Sequence, residues 1–300
     1  MKILLTANKT YRGILDTTWW YFYEPLLKLN HEVFFYDTVN GLDKNFETIV
    51  EQFKPELIFC IMTGDKNIAP FEPWEEIAKI TKKGVIKTFN WFCDDTWRFN
   101  SFSSKVCHVF HVCSTPEPQF LEKFKNIGYD QIINANWHAN SSYFKPKEFS
   151  KRNTQVGFIG FPNAQRKSFL DSKEIKIEFS SNLEQQEMFD KFCDTKIGLN
   201  LSFNVNDPLM GTQMKQRIFE ITAGGSMLLT QAHQGIERFF EIDKEIVTFG
   251  SKRELIEKTN FLIKNPKILE TIAFNGNRRF LNEHESSIRL QRVIEEIIKR

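Results

Sequence analysis

Long apolar runs, net charge and cysteine are all scarce in this 300-residue chain, and each scarcity excludes a class of protein. A membrane-spanning helix needs about 20 apolar residues, and no run comes close to that length. The opening MKILLTANKTYRG turns polar after five residues, too soon for a secretory signal. The reading that follows is a cytoplasmic chain with no stable membrane insertion. Forty Lys and Arg against 38 Asp and Glu leave a net charge of +2, too little for a protein that coats polyanions. The five cysteines, Cys60, Cys93, Cys107, Cys113 and Cys193, are odd in number and lie mostly in apolar stretches, which suits reduced thiols better than a disulfide framework. The glycine-rich dinucleotide fingerprint is missing as well. TANKTYRG stands after the first predicted strand where G-x-G-x-x-G would be, which disfavours a dinucleotide oxidoreductase.

What remains is 41% hydrophobic and 26% charged, enough for one large domain or two of roughly 150 residues each. The 30 Phe are too widely spread to mark a ligand site by abundance alone. The first half repeats one unit: a short apolar run, a polar turn, then a segment with helical spacing. Strands are predicted at 2–7, 31–36, 56–62, 85–91, 106–113 and 132–134, with helices between them. The stretch WHANSSYFKPKEFSKRN has linker composition and sets a boundary near residue 148. The pattern restarts with QVGFIG at 155–160, followed by strands at 175–179, 197–201, 227–230 and 246–249 and helices at 185–194, 212–223, 252–264 and 266–280. Ile288, Val293, Ile294, Ile297 and Ile298 mark a final amphipathic helix. The fold class is therefore α/β, two doubly wound Rossmann-like domains in tandem, 1–148 and 149–283, facing across a cleft.

Ligands of such sheets bind at the carboxyl ends of the strands, which selects a few segments. Residues 200–230, NLSFNVNDPLMGTQMKQRIFEITAGGSMLLT, place Asn200 at a strand end. A loop with Asn204, Asn206, Asp207 and Gly211 follows, and Thr212 can cap a helix carrying Lys215 and Arg217 in its opening turns. A helix N-terminus with two cations suits a diphosphate. Glu220 can accept hydrogen bonds from vicinal ribose hydroxyls, or pair with Arg217 at i,i+3. Gly224 and Gly225 end the helix. In GFIGFPNAQRKS, Gly157 and Gly160 allow close backbone approach to a ligand. In NWFCDDTWRF, Asp94 or Asp95 can act as general base or stabilise an oxocarbenium-like transition state; otherwise the two are a capping and a loop carboxylate. Trp19 to Tyr23 form packing, or an acceptor-side surface together with Arg12 and Gly13. Cys107, His108, His111 and Cys113 resemble zinc ligands superficially, but one predicted strand sends His108 to the opposite face from the other three, and no metal is expected there.

The run K-x-R-x-F-E-x-x-A-G-G at 215–225, with IERFFEIDKEIVTFGSKRELIEKTNFLIKNP and IAFNGNRRFLNEHESSIR downstream, resembles the nucleotide-sugar segment of two-domain glycosyltransferases of the GT-B fold, nearest to the spore-maturation-protein-like branch. The resemblance covers roughly 155–295. It implies a glycosyltransferase of the hexosyltransferase class with a UDP- or GDP-linked donor as substrate and no cofactor. The implied acceptor class spans glycan, lipid, protein and modified nucleic-acid base. Gly160, Arg166, Asn200, Gly211, Thr212, Lys215, Arg217 and Glu220 would bind the donor, and a C-terminal helix, 284–300, would pack back on the first domain. Retaining members commonly carry two glutamates separated by seven residues. Glu220 matches the second, but Thr212 stands at the first, so that glutamate's role near the donor phosphate does not carry over. No Asp-x-Asp triplet occurs, which argues for a metal-independent reaction. An inactive GT-B-like binding protein and a GT-B-fold sugar epimerase are the competing readings.

Overall fold

The computed structural model describes residues 1–161, 163–203 and 211–300. It divides into two compact units, Met1–Asn136 with Ser286–Arg300, and Trp137–Glu285.

In the first unit six parallel strands, β1 (Lys2–Ala7), β2 (Glu32–Asp37), β3 (Leu57–Ile61), β4 (Lys87–Trp91), β5 (Val112–Thr115) and β6 (Ile132–Asn134), lie in the order β2-β1-β3-β4-β5-β6. The apolar runs KILLTA and LIFCI are buried on both faces, as strands covered by helices on either side must be, and the register sets Leu4 between Phe34 and Ile58. The sheet order reverses at β1, so its switch point lies between the ends of β1 and β3. Phenylalanines supply much of the packing: Phe59 meets Phe89 at 4.7 Å, and Phe92 stacks on Phe124 at 5.9 Å. A helix over Ser286–Lys299 completes this unit.

In the second unit β7 (Thr154–Ile159), β8 (Glu178–Ser180), β9 (Thr195–Asn200), β10 (Met227–Gln231) and β11 (Val247–Phe249) form a parallel sheet in the order β8-β7-β9-β10-β11. Its switch point lies between the ends of β7 and β9. No side chain fits at Gly198 of β9, because a Cβ there would stand 2.5 Å from Ile221; this lets the helix Arg217–Ala223 lie close against the sheet. The segment with linker composition is ordered on this unit: Tyr143 and Phe144 pack on Phe189 at 5.1 and 4.9 Å, and Arg152 donates to the carbonyls of Lys147 and Thr195.

Three sequence expectations are corrected. The strand expected at 106–113 is instead short helical turns through Val109, and β5 begins only at Val112. The strand expected at 175–179 is reduced to Glu178–Ser180. In the final helix the buried face is Leu290, Val293, Ile294 and Ile297, while Ile298 is 58% exposed. The i, i+3, i+4, i+7 set turns one apolar stripe inward and leaves Ile298 on its exposed flank.

Candidate functional site

At the switch point of the second sheet two arginines share one aromatic ring. Phe158, buried in β7, lies under the Arg217 guanidinium at 4.8 Å and the Arg166 guanidinium at 5.7 Å. Arg166 is placed by its helix cap: the Asn163 side chain accepts from the Arg166 backbone N–H at 2.8 Å, satisfying an orphan donor of the first turn. Its Nη1 donates to the Phe161 carbonyl at 2.8 Å, whereas its Nε is buried without a hydrogen-bond partner among the described residues. Arg217 opens its helix, and its Nη1 points at Asn200 Oδ1 at 3.4 Å. Asn200, fully buried, is itself held by bonds from its Nδ2 to Ser202 Oγ and Thr230 Oγ1 at 3.0 and 2.9 Å.

Gly160 is required by this arrangement. Its φ is +152°, and a Cβ on it would stand 3.0 Å from the Arg217 guanidinium carbon and closer still to Nη2. Burial lowers the pKa of Arg166. Burial, with the neighbouring Arg166 charge adding to it, pushes Arg217 down to about 10, against the opposing pull of the Glu220 carboxylate. Guanidiniums keep their charge at neutral pH, so the two like charges on one ring are an arrangement that can hold an anion.

Other expected members are placed differently. The helix begins at Arg217, with Gln216 as its cap residue and no side-chain capping bond, so Thr212 does not cap it and Lys215 precedes it. Thr212 instead pairs across to Phe203 in a β-bridge, and its Oγ1 lies 2.8 Å from Nδ1 of the buried His233. Glu220 is buried one turn along from Arg217. Gly211 is exposed in left-handed conformation, φ +75°. Asn204, Asn206 and Asp207 lie outside the described residues.

In the first unit Asp94 and Asp95 follow β4 and start a single helical turn. Asp94 is part-exposed and its carbonyl accepts from the N–H groups of Trp97 and Arg98. Asp95 is 0% exposed, so of the two only Asp94 is part-exposed. Burial pushes the Asp95 carboxyl up to about 7; the hydroxyls of Ser103 and Thr115 oppose this, and the charges of Asp94 and Glu117 reinforce it. Arg12 and Gly13, with φ of +52° and +79°, form the two-residue tip of a hairpin pairing Thr10–Tyr11 with Ile14–Leu15; two positive φ values are what a type I′ turn demands. Trp19 packs against Tyr23 and Phe35, with the Lys9 ammonium 4.9 Å over its ring. Of the Cys/His group, Cys107 and His108 sit in a 3₁₀ turn, the Cys113 thiol donates to the Cys107 carbonyl at 3.7 Å, and His111 Nδ1 accepts from the Thr88 N–H at 3.1 Å.

Asp95 carries a pH prediction. In the folded chain it holds a proton that the unfolded chain releases near pH 4, so stability falls as pH rises from about 4 to 7. Asp95→Asn, neutral throughout, is expected to gain in melting temperature over the native chain as pH rises from 5 to 8. Parallel melting curves across that range would contradict the assignment.

Residues 147–295 match the glycosyl transferase-like family. That segment belongs to the family, and the chain has the GT-B fold. The match is at family level and does not single out the spore-maturation-protein-like branch. A glycosyltransferase from Rickettsia africae is similar over 100% of this chain and 99% of its own, at TM-score 0.65 and 11% identity. Anabaena HepE in complex with UDP-glucose is similar over the full length of both chains, at TM-score 0.64 and 12% identity. An alpha-glucosyltransferase in complex with UDP covers 99% of this chain and 100% of its own, at TM-score 0.67 and 10% identity. No curated protein matches the chain in sequence. In this GT-B protein the Arg166–Phe158–Arg217 group and Glu220 lie inside the matched segment. The sequence signalled both arginines, but Phe158 as their shared platform was hidden among 30 phenylalanines. No helix of the described residues is long and apolar enough to cross a membrane.

Proposed function

We propose that the protein transfers a hexosyl group from a UDP- or GDP-linked sugar to an acceptor, without a metal ion. The observation that carries this reading is the pair of guanidiniums on Phe158 beside Gly160. Two fixed cations at a strand end can take up the charge that develops on a departing diphosphate, the role a divalent ion plays elsewhere. Glu220 accepts the ribose hydroxyls, and Asn200 holds Arg217 in place. Asp94 removes the acceptor hydroxyl proton as the glycosidic bond forms. Arg12, Gly13 and Trp19 belong to the acceptor side, and the acceptor is a glycan, lipid, protein or modified base.

The test combines titration calorimetry with release of nucleoside diphosphate from candidate sugar donors in the presence of a chelator. Glu220→Ala is expected to weaken nucleotide binding by roughly 1 to 3 kcal/mol, the cost of losing a buried hydrogen-bond partner. Asp94→Asn is expected to keep native nucleotide affinity while transfer disappears. Turnover by Asp94→Asn at the native rate would remove Asp94 from catalysis. One observation favours a second reading, a binding protein without turnover: Thr212 is engaged with His233 where retaining members commonly carry a glutamate. In that case nucleotide sugar binds and no donor is consumed.

A further inference from the structure

In the first unit the edge strand β6 and the C-terminal helix Ser286–Lys299 flank a half-open recess of about 250 Å³. Ile132 and Val293 supply apolar wall, and Arg289, Arg292 and Arg300 line it with a single carboxylate, Glu296. Arg292 and Glu296 stand four apart on one helix face and Arg300 follows four further on, just past the helix end, a spacing at which Arg and Glu usually pair. Arg300 instead reaches across to donate from Nη1 to the Asp130 carbonyl at 3.1 Å. Among the described residues no ion pair ties Arg292 to Glu296. The recess therefore sets the Arg292 and Arg300 guanidiniums beside one carboxylate, at the edge of the sheet.

We propose that this recess is an anion site for a phosphate-bearing ligand, distinct from the Arg166–Arg217 site. A carboxylate has two oxygens and satisfies one guanidinium fork, whereas a phosphomonoester or diphosphate offers three or more oxygens to several forks at once. The volume falls below the about 300–1,000 Å³ of sites that enclose drug-sized ligands, so it admits a phosphorylated group and excludes a whole nucleotide sugar. Arg292 and Arg300 are exposed, so binding should weaken with salt. The phosphate belongs either to a soluble metabolite or to a lipid headgroup.

Pyrophosphate titrated calorimetrically into the full chain at low salt is expected to fill two sites. The double variant Arg292→Glu, Arg300→Glu should lose one of them, with affinity there falling at least about tenfold and the first unit still folded, since both side chains are exposed. The double variant Arg166→Ala, Arg217→Ala should lose only the other. Co-sedimentation with phosphatidylcholine vesicles, with and without phosphatidic acid, separates the sources. Retention that needs phosphatidic acid and vanishes in the charge-reversed variant assigns a lipid headgroup, and pyrophosphate binding without retention assigns a soluble ligand. Native pyrophosphate stoichiometry together with native vesicle behaviour in the charge-reversed variant would overturn the proposal. A native titration in Arg166→Ala, Arg217→Ala counts against the donor site alone.

Discussion

Gly160→Ala is expected to weaken nucleoside diphosphate binding almost as much as Arg217→Ala, although Gly160 offers no side chain to a ligand. At φ +152° an L-residue is strained, and the added Cβ would occupy space held by the Arg217 guanidinium. That group then leaves the Phe158 ring, and its bond to Asn200 Oδ1 breaks. A charge-assisted bond of this kind contributes about 1.5 to 3 kcal/mol, so affinity should drop roughly tenfold to a hundredfold. The backbone strain alone costs about 1 to 3 kcal/mol, which lowers the melting temperature by a few degrees and leaves the second unit folded. The two substitutions act on one group, so Gly160→Ala, Arg217→Ala together should bind no more weakly than Arg217→Ala alone. Calorimetry on the three variants decides this. Native affinity in Gly160→Ala would mean that Arg217 is not where the diphosphate binds.

The second large effect concerns stability. Truncation before Ser286 is expected to unfold the first unit while the second unit keeps its own transition. Leu290, Val293, Ile294 and Ile297 are all buried, and at about 1.5 to 3 kcal/mol for each side chain their burial amounts to roughly 6 to 12 kcal/mol. A whole domain is stable by about 5 to 15 kcal/mol, so the helix carries a share that this unit cannot lose. Ile297→Ala, at 0% exposure, tests the same point more gently, with an expected cost of about 2 to 5 kcal/mol. Urea unfolding should show the first unit's transition moved to lower denaturant and the second unit's unchanged. A truncated chain that retains both transitions would show that the first sheet holds its core without the helix.

Most of the scaffold was legible in the sequence because parallel strands buried on both faces are written as continuous apolar runs. KILLTA, ELIFCIM, QVGFIG and MLLTQ are separated by segments of helical spacing, and that alternation leaves little topological choice. The helices at 46–53, 185–194 and 252–264 are legible for the same reason; Asn45 and Ser251 mark the starts of the first and last of them with side-chain caps. KVCHVFHV failed because a short run rich in Val and Phe reads as a strand, while Val106, Val109 and Val112 recur every three residues and the chain there curls into helical turns that bury Cys107 and Phe110.

By itself the sequence determined the α/β class, the strand-end positions of Gly160, Asn200, Asp94 and Asp95, and the basic residues at 166 and 217. Local periodicity and turn chemistry reach that far, since they depend on neighbours within one or two turns of chain. Only the tertiary structure decided which of these meet. Arg166 and Arg217 lie 51 positions apart in the chain and come together on Phe158 because parallel pairing of β7 with β9 brings their strand ends side by side. Thr212 leaves the helix it was expected to cap because the backbone hydrogen bond from Gln213 to Ser202 and the bridge to Phe203 draw it to the loop. Asp95 is sealed while Asp94 stays accessible because consecutive residues at a helix start point in different directions, and which one faces the core is set by packing, a property no single segment of sequence contains.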